Sequence, residues 1–341
     1  MNRPATAVVV GTGAVGARAA RQLLGAEGVE HLLLVDSDEG RMVSVAASLG
    51  APATPAVWAP GALGPGDVVV LATPPPHLEL ATSAVERGAH VVSVGDAVPD
   101  VGRLLELDDL ARRQGATVAV AAGFSPGYTC ALARHAASGF DEVDEVHVAR
   151  AGTGGPACAR RHHQALTQEA LDWRDGAWTS RRGGSGRELC WFPDPVGAQD
   201  CYRGGLPDAL VLVPAFPGVR RVTARVAATR RDRLTARLPM LRQPHPEGLL
   251  GAARVEIRGR RGPATDVRVL GALDRPAVAA GMVAGVTALW AVGGRLARPG
   301  AGGLAELVGQ PVPFLHELAR RGLRAAAFEG NGQLATSATP R

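Results

Sequence analysis

Two adjacent histidines, His162 and His163, follow the small-residue segment AGTGGP at 151–156. Imidazole titrates near neutral pH. A hydride transfer needs a proton donor or acceptor within hydrogen-bond reach of the reacting nitrogen or oxygen, so these two are the first candidates. Neighbours on a helix diverge by about 100°, so one of the two is expected to face a substrate. Arg160 and Arg161 stand just before them and suit a carboxylate, which a guanidinium holds with a bidentate fork. Asp200 and Tyr202, in a QDCYR segment read as a turn, add a polar contact and a second proton carrier. Asp96, after VVSVG, is a third. Cys158 and His162 are spaced i, i+4, but no further ligands with short spacings accompany them, so no metal is expected. Cys130 falls in the first turn of an Ala-rich helix and reads as a buried thiol.

A second constellation is more specific. Gly11-Thr12-Gly13-Ala14-Val15-Gly16 directly follows a β-branched run, opens a helix, and is followed by Asp36 at the end of the next strand. This is the dinucleotide fingerprint in its required context. Gly11 permits the tight turn, Gly13 lets a pyrophosphate approach the backbone, and Gly16 allows helix and strand to pack. The helix N-terminus offers free N–H groups to the phosphates. Asp36, with Ser37 beside it, is placed to accept from a ribose and repel a 2′-phosphate, so NAD is expected. Arg41 close behind leaves NADP possible. Ala72, Thr73 and Pro74 end a strand where cofactors lie in open α/β sheets. Ser125, Pro126 and Gly127 open a helix whose N–H groups suit the nicotinamide amide.

Composition narrows the classes. The chain has 341 residues, 46% hydrophobic and 20% charged, which is globular and long enough for two domains. It contains no lysine, so all 37 basic residues are arginine. Mechanisms needing a lysine amine are thereby excluded. The arginine pairs carry no interleaved aromatics and no finger or helix-turn-helix spacing, so a nucleic-acid partner is not expected. Four cysteines without CxxC spacing fit reduced thiols and a cytoplasmic location. The first residues lead straight into a strand, so no signal peptide is expected. Residues 276–294 are uncharged and contain a GxxxG. Their length approaches a membrane span, yet arginines bound them closely, and a buried or dimer-interface helix is expected. The expected partners are a small-molecule substrate and a second copy of the chain, with no membrane.

Strands at 7–10, 31–36, 68–72, 91–94 and 117–122 alternate with helices at 14–24, 39–49, 78–87 and 101–114. That order predicts a doubly wound parallel Rossmann sheet. Beyond residue 127 the pattern turns to a mixed α+β domain. It has a strand at 145–149, a helix near 160–171, and extended pieces at 188–192, 210–213, 221–227, 253–259 and 266–271. The last two form an antiparallel hairpin. The predicted boundaries are 1–126 for the dinucleotide domain, completed by helices at about 298–330, then 127–297 for the substrate domain. Residues 331–341 are expected to be frayed.

Several stretches resemble the saccharopine dehydrogenase-like family of NAD(P)-dependent oxidoreductases. They are GTGAVG, LATPPPHLELATSAVERGAHVVSVGD, AAGFSPGYTCALARHA, ELCWFPDPVGAQDCYR, LVPAFPGVRRVTARV and QPVPFLHELARRGL. The resemblance implies a Rossmann domain completed by C-terminal helices. It also implies hydride transfer at a carbon bearing nitrogen in a small amine, imine or amino acid. The chain departs from the family at Ser93, where many relatives carry an aspartate. Two alternatives stand beside this reading: a non-catalytic dinucleotide sensor or partner protein, and an oxidoreductase of another carbonyl substrate. A sugar or polyol dehydrogenase would need a lysine that the chain lacks.

Overall fold

A computed structural model describes residues 5–238, 240, 244–329 and 333–335. Two compact units are present. One comprises the chain up to Tyr128 together with Ala277–Gly309; the other comprises Thr129–Pro276 together with the chain from Gln310.

The first unit begins β1 (Ala5–Val10), α1 (Ala14–Leu23), β2 (Val29–Val35), α2 (Glu39–Leu49) and β3 (Ala53–Pro55). It continues β4 (Val68–Leu71), α3 (Leu78–Val85), β5 (His90–Ser93), α4 (Val98–Leu105), α5 (Asp108–Arg113) and β6 (Thr117–Ala119). Helix α6 (Tyr128–Ala137) leads into the second unit. That unit runs β7 (Glu142–Ala151), α7 (Pro156–Ala165), β8 (Ala170–Arg174), β9 (Ala177–Arg181), β10 (Glu188–Trp191) and β11 (Ala198–Arg203). Then come α8 (Asp208–Leu212), β12 (Arg221–Ala227), α9 (Arg230–Thr235), β13 (Gly251–Arg261) and β14 (Ala264–Asp274). The chain returns to the first unit with α10 (Pro276–Val292), β15 (Gly300–Gly302) and α11 (Leu304–Leu307). It closes in the second with α12 (Pro311–Arg320), β16 (Ala325–Glu329) and β17 (Gln333–Ala335).

The first unit's sheet has seven strands in the order β15-β6-β5-β4-β1-β2-β3. Every pairing is parallel. Strand β4 is buried along its whole length, as the VVVL run requires of a sheet covered on both faces. The chain winds outward from β1 in one direction and from β4 in the other. The crevice between the carboxyl ends of β1 and β4 is therefore the topological switch point.

Two expectations about boundaries change. The segment that returns to the Rossmann unit is 277–309, not 298–330. Its core is α10, whose small residues meet α1 within the same unit. A Cβ on Gly281 would lie 2.5 Å from the Val15 carbonyl oxygen, and one on Gly285 would lie 2.5 Å from Gln22 Cβ. The GxxxG face is thus used against α1. Among the described residues, no helix is long and apolar enough to cross a membrane. Of the tail, residues 333–335 pair with β16 instead of fraying, and 331–332 and 336–341 lie outside the described residues.

The second unit has a mixed ten-stranded sheet, with β7 parallel to β12 and antiparallel to β13. The expected hairpin is present and longer than read, from Gly251 to Asp274. Residues 210–212 belong to the short helix α8 and Val213 opens the 3-10 turn after it, instead of a strand; a brief Leu-Val-Leu run has no period to separate the two. The His-containing helix starts earlier than expected, at Pro156 in its first turn, and ends at Ala165. QDCYR is strand β11, not a turn.

Candidate dinucleotide site

Strand β1 ends in the glycine turn, and the turn is locked from two sides. The Gly11 N–H donates to the Val35 carbonyl at 2.7 Å, and Ala72 N–H donates to the Val10 carbonyl at 2.8 Å. Gly11 has φ +96°, a conformation that costs a side chain dearly. A Cβ there would also press within 2.8 Å of the Ala72 carbonyl carbon and 2.9 Å of the Thr73 methyl. At Gly16 a Cβ would overlap the Gly11 carbonyl oxygen. Gly13 differs: a Cβ there meets nothing within 4 Å. Gly13 is the N-cap of α1, followed by Ala14 and Val15 in the first turn, and, being glycine, offers no side chain to cap the helix. Open space in front of an uncapped helix N-terminus is what a pyrophosphate requires.

Asp36 faces this turn. Its Oδ2 accepts from the Thr12 N–H at 2.5 Å and the Thr12 hydroxyl at 2.7 Å. Its Oδ1 accepts from the Asp38 N–H at 2.9 Å and from Arg41 Nη2 at 2.7 Å. Burial opposes the charge, but these donors, Arg41 foremost, outweigh it and hold the carboxyl far below the usual carboxylate range. Arg41 is itself positioned by α2, whose N-cap Asp38 accepts from the Arg41 N–H. The guanidinium is 46% exposed and the Asp36 side chain 4%. Ser37 is exposed beside them.

The structure thus brings Gly11–Gly16, Asp36, Arg41, Ala72 and Thr73 together at one edge, with Pro74 exposed on the following loop. Ser125, Pro126 and Gly127 belong to the same unit. They form a tight turn in which Gly123 N–H donates to the Pro126 carbonyl and Tyr128 N–H to the Gly123 carbonyl. Ala122 N–H, just before it, bonds the Ser93 carbonyl at the end of β5. Buried Ala121 holds φ +54°, a strained conformation of the kind that collects at functional edges. Asp96, half-buried, follows β5 in this unit.

The other candidates all belong to the second unit. His162 Nε2 donates to the Ala227 carbonyl and His163 Nε2 to the Leu238 carbonyl, both at 3.0 Å. The two rings diverge, as helix geometry requires. Arg160 is exposed and Arg161 half-buried. Asp200 pairs with Arg187 at 2.9 Å. Tyr202 is only 2% exposed and packs with Ala165, Leu166 and Val226 beneath the Arg233 guanidinium. That burial makes Tyr202 a core residue rather than an open proton carrier. No group of three or more ligating side chains that could hold a metal occurs among the described residues.

Sequence reasoning passed over one cluster at the sheet's carboxyl edge. His77, Ser93 and Asp100 converge from the start of α3, the end of β5 and α4. Each was a single polar residue in a loop or apolar run. Only the parallel register, with Leu71 beside Ser93, brings them together.

Residues 6–96 match the family model described as NADP oxidoreductase, coenzyme F420-dependent. Among solved structures, saccharopine dehydrogenase (L-Glu forming) from Saccharomyces cerevisiae is similar over 95% of this chain and 99% of its own. The TM-score is 0.67 and the identity 14%. The chain has the fold of saccharopine dehydrogenase. The DAP dehydrogenase of C. glutamicum is also similar, at 15% identity over 94% of this chain and 99% of its own, with a TM-score of 0.49. The expected Rossmann sheet plus mixed second unit agrees with the saccharopine dehydrogenase-like fold. At this identity the likeness concerns the fold, while the dinucleotide assignment rests on the glycine turn and the oxidoreductase model over 6–96.

Proposed function

We propose that the protein is an NAD(P)-dependent oxidoreductase that transfers a hydride at a carbon bearing nitrogen in a small amine, imine or amino acid. The observation that carries this reading is the glycine turn at the switch point, with open space before Gly13 and the Asp36 carboxylate fixed on Thr12. A bound nicotinamide dinucleotide would supply the hydride. Gly11–Gly16 would hold its pyrophosphate, and Asp36 with Arg41 would meet the adenosine ribose. NAD is the proposed cofactor, because the carboxylate stays charged beside that ribose; NADP is the alternative through Arg41.

The proposed roles of His162 or His163 as acid–base group and of Arg160 or Arg161 as carboxylate anchor support an amino-acid-like substrate. A homodimer is the proposed assembly. The test is a screen at 340 nm of amino acids with NAD(P), and of keto acids plus ammonium with NAD(P)H. Turnover with a nitrogen-bearing substrate supports the reading. Turnover only with carbonyl substrates in the absence of an amine contradicts the chemistry, and tight dinucleotide binding without any turnover favours a sensor.

A further inference from the structure

We infer that His77 is a positioning residue: its ring fixes Thr73 so that the Thr73 hydroxyl donates its proton to an oxygen of the bound dinucleotide. The inference rests on the dinucleotide reading of the switch-point crevice and adds residues to it.

His77 opens α3 and is fully buried. Its Nε2 lies 3.0 Å from the Thr73 carbonyl oxygen and 3.1 Å from the Thr73 hydroxyl oxygen. A carbonyl oxygen only accepts, so Nε2 carries a hydrogen and points it at Thr73. The hydroxyl oxygen shares that hydrogen as a second acceptor. Its own proton must then point elsewhere.

The other ring nitrogen fixes this polarity. His77 Nδ1 lies 2.8 Å from Ser93 Oγ, and Ser93 Oγ accepts from the Gly95 N–H at 3.2 Å. Burial lowers the His77 pKa against the opposing pull of Asp100, which keeps the ring neutral. A neutral ring protonated at Nε2 has a bare Nδ1, which accepts from the Ser93 hydroxyl. Donation therefore runs in one direction, from Gly95 to Ser93 to His77 to Thr73. Asp100 anchors the backbone of the same residue, accepting from the His77 N–H at 2.8 Å through Oδ1. Its Oδ2 stands 4.0 Å from Nδ1, outside hydrogen-bond reach. Gly95 packs closely on the pair, since a Cβ there would lie 3.1 Å from His77 Nδ1 and 3.3 Å from Asp100 Oδ2.

Thr73 is held on its other side too. Its methyl would lie 2.9 Å from a Cβ on Gly11, so it rests against the turn that faces the pyrophosphate. With the methyl beside Gly11 and the oxygen accepting from His77, the half-buried hydroxyl has its own proton to give, and the crevice beside the glycine turn is where a bound dinucleotide would take it. The ligand atom it fits is an acceptor, a phosphate or ribose oxygen.

The native full-length protein tests the polarity directly. Nitrogen-15 NMR of His77 should show the neutral tautomer with protonated Nε2 and bare Nδ1. A protonated Nδ1 would overturn the inference. Calorimetric titration with NAD and NADP tests the consequence. Thr73→Val should weaken binding roughly tenfold, the usual scale for one lost hydrogen bond. Thr73→Ser should restore it to within about threefold. Ser93→Ala should give a smaller loss together with a mixed tautomer signal. If Thr73→Val binds like the native protein while Gly13→Val does not bind, the inference fails and the dinucleotide site stands. If the native protein binds neither NAD nor NADP, the dinucleotide reading fails and this inference falls with it.

Discussion

The two units place their polar residues by different rules. In the first, the central strands β1, β4, β5 and β6 are largely apolar and buried, and polar groups collect where the strands end: Thr12, Asp36, Thr73, His77 and Ser93. In the second, charged side chains lie across the sheet itself. Glu256 and Arg225 are each 7% exposed, on β13 and β12. His147 sits opposite both Thr223 and Glu256 in the register and bonds the Thr223 hydroxyl at 2.8 Å. A parallel sheet covered by helices excludes unpaired polarity from its faces. The mixed sheet admits charge because these charges meet opposite ones, Glu256 with Arg254 and Arg258 on its own strand and Arg225 with Glu188 on β10.

Breaking the glycine turn gives the largest contrast. Gly16→Val should leave no folded first unit, because the added Cβ overlaps the Gly11 carbonyl oxygen. Gly13→Val should fold, since nothing lies within 4 Å of its Cβ, yet lose dinucleotide binding by roughly 100-fold or more. Circular dichroism and calorimetry separate the two outcomes. Native-like binding by a folded Gly13→Val protein would remove the pyrophosphate from this turn.

Next in size is the catalytic contribution proposed for the second unit. His162→Ala or His163→Ala, but not both equally, should lower turnover by about 100-fold with cofactor affinity intact, the usual scale of general acid–base catalysis. Both rings donate Nε2–H to backbone carbonyls, so each substitution also removes one tertiary hydrogen bond. Thermal melts beside the kinetics keep the two effects apart. Equal, full activity in both variants would move the proton to Asp96 or to water.

A smaller effect tests the charged sheet face. Burial raises the Glu256 pKa, but Arg254 and Arg258 outweigh that and hold it below the ordinary value. A carboxyl with a depressed folded-state pKa contributes stability above its unfolded pKa, about 4.3, and loses it as pH falls through the folded value. Glu256→Gln should therefore cost about 2 kcal/mol near pH 7 and flatten the stability curve below about pH 4.5. The figure is set below that of a fully buried pair because Arg258 is half exposed. An unchanged acid limb in urea melts would show that the pair is not coupled to folding.

The same contrast explains what the sequence made legible. The fingerprint, Asp36 and Thr73 obey local spacing rules, a turn between strand and helix and an acid twenty residues on, and the structure brings them together as read. Elements set by packing were harder. Residues 208–212 have too short a run to show a period, and β11 reads as a turn because Gln, Asp and Cys follow one another without an apolar signal. His77, Ser93 and Asp100 are 16 and 7 residues apart along the chain. Only the pairing of β4 with β5 makes them neighbours. The Glu256–Arg254–Arg258 group was equally hidden, since alternating Arg and Glu reads as a solvated strand until the burial of its face is known.

The smallest predicted effect concerns cofactor choice, where the first unit's edge behaves most like the second unit's sheet. Asp36 already accepts from Thr12, Asp38 and Arg41, so its two oxygens are close to saturated. A ribose diol must therefore take the place of one donor, and Arg41, a half-exposed side chain where Asp38 offers a backbone N–H and Thr12 is buried, is the one free to yield. Asp36→Ala removes a carboxylate that repels a 2′-phosphate and releases Arg41 to meet it. The ratio of NADP to NAD affinity should rise by about tenfold. Arg41→Ala should shift it the other way by only a few-fold, because a half-exposed ion pair is screened by solvent. Titration of both variants with both dinucleotides measures the two shifts. If the native protein prefers NADP and Arg41→Ala abolishes that preference, the arginine governs the choice and the carboxylate serves to aim it.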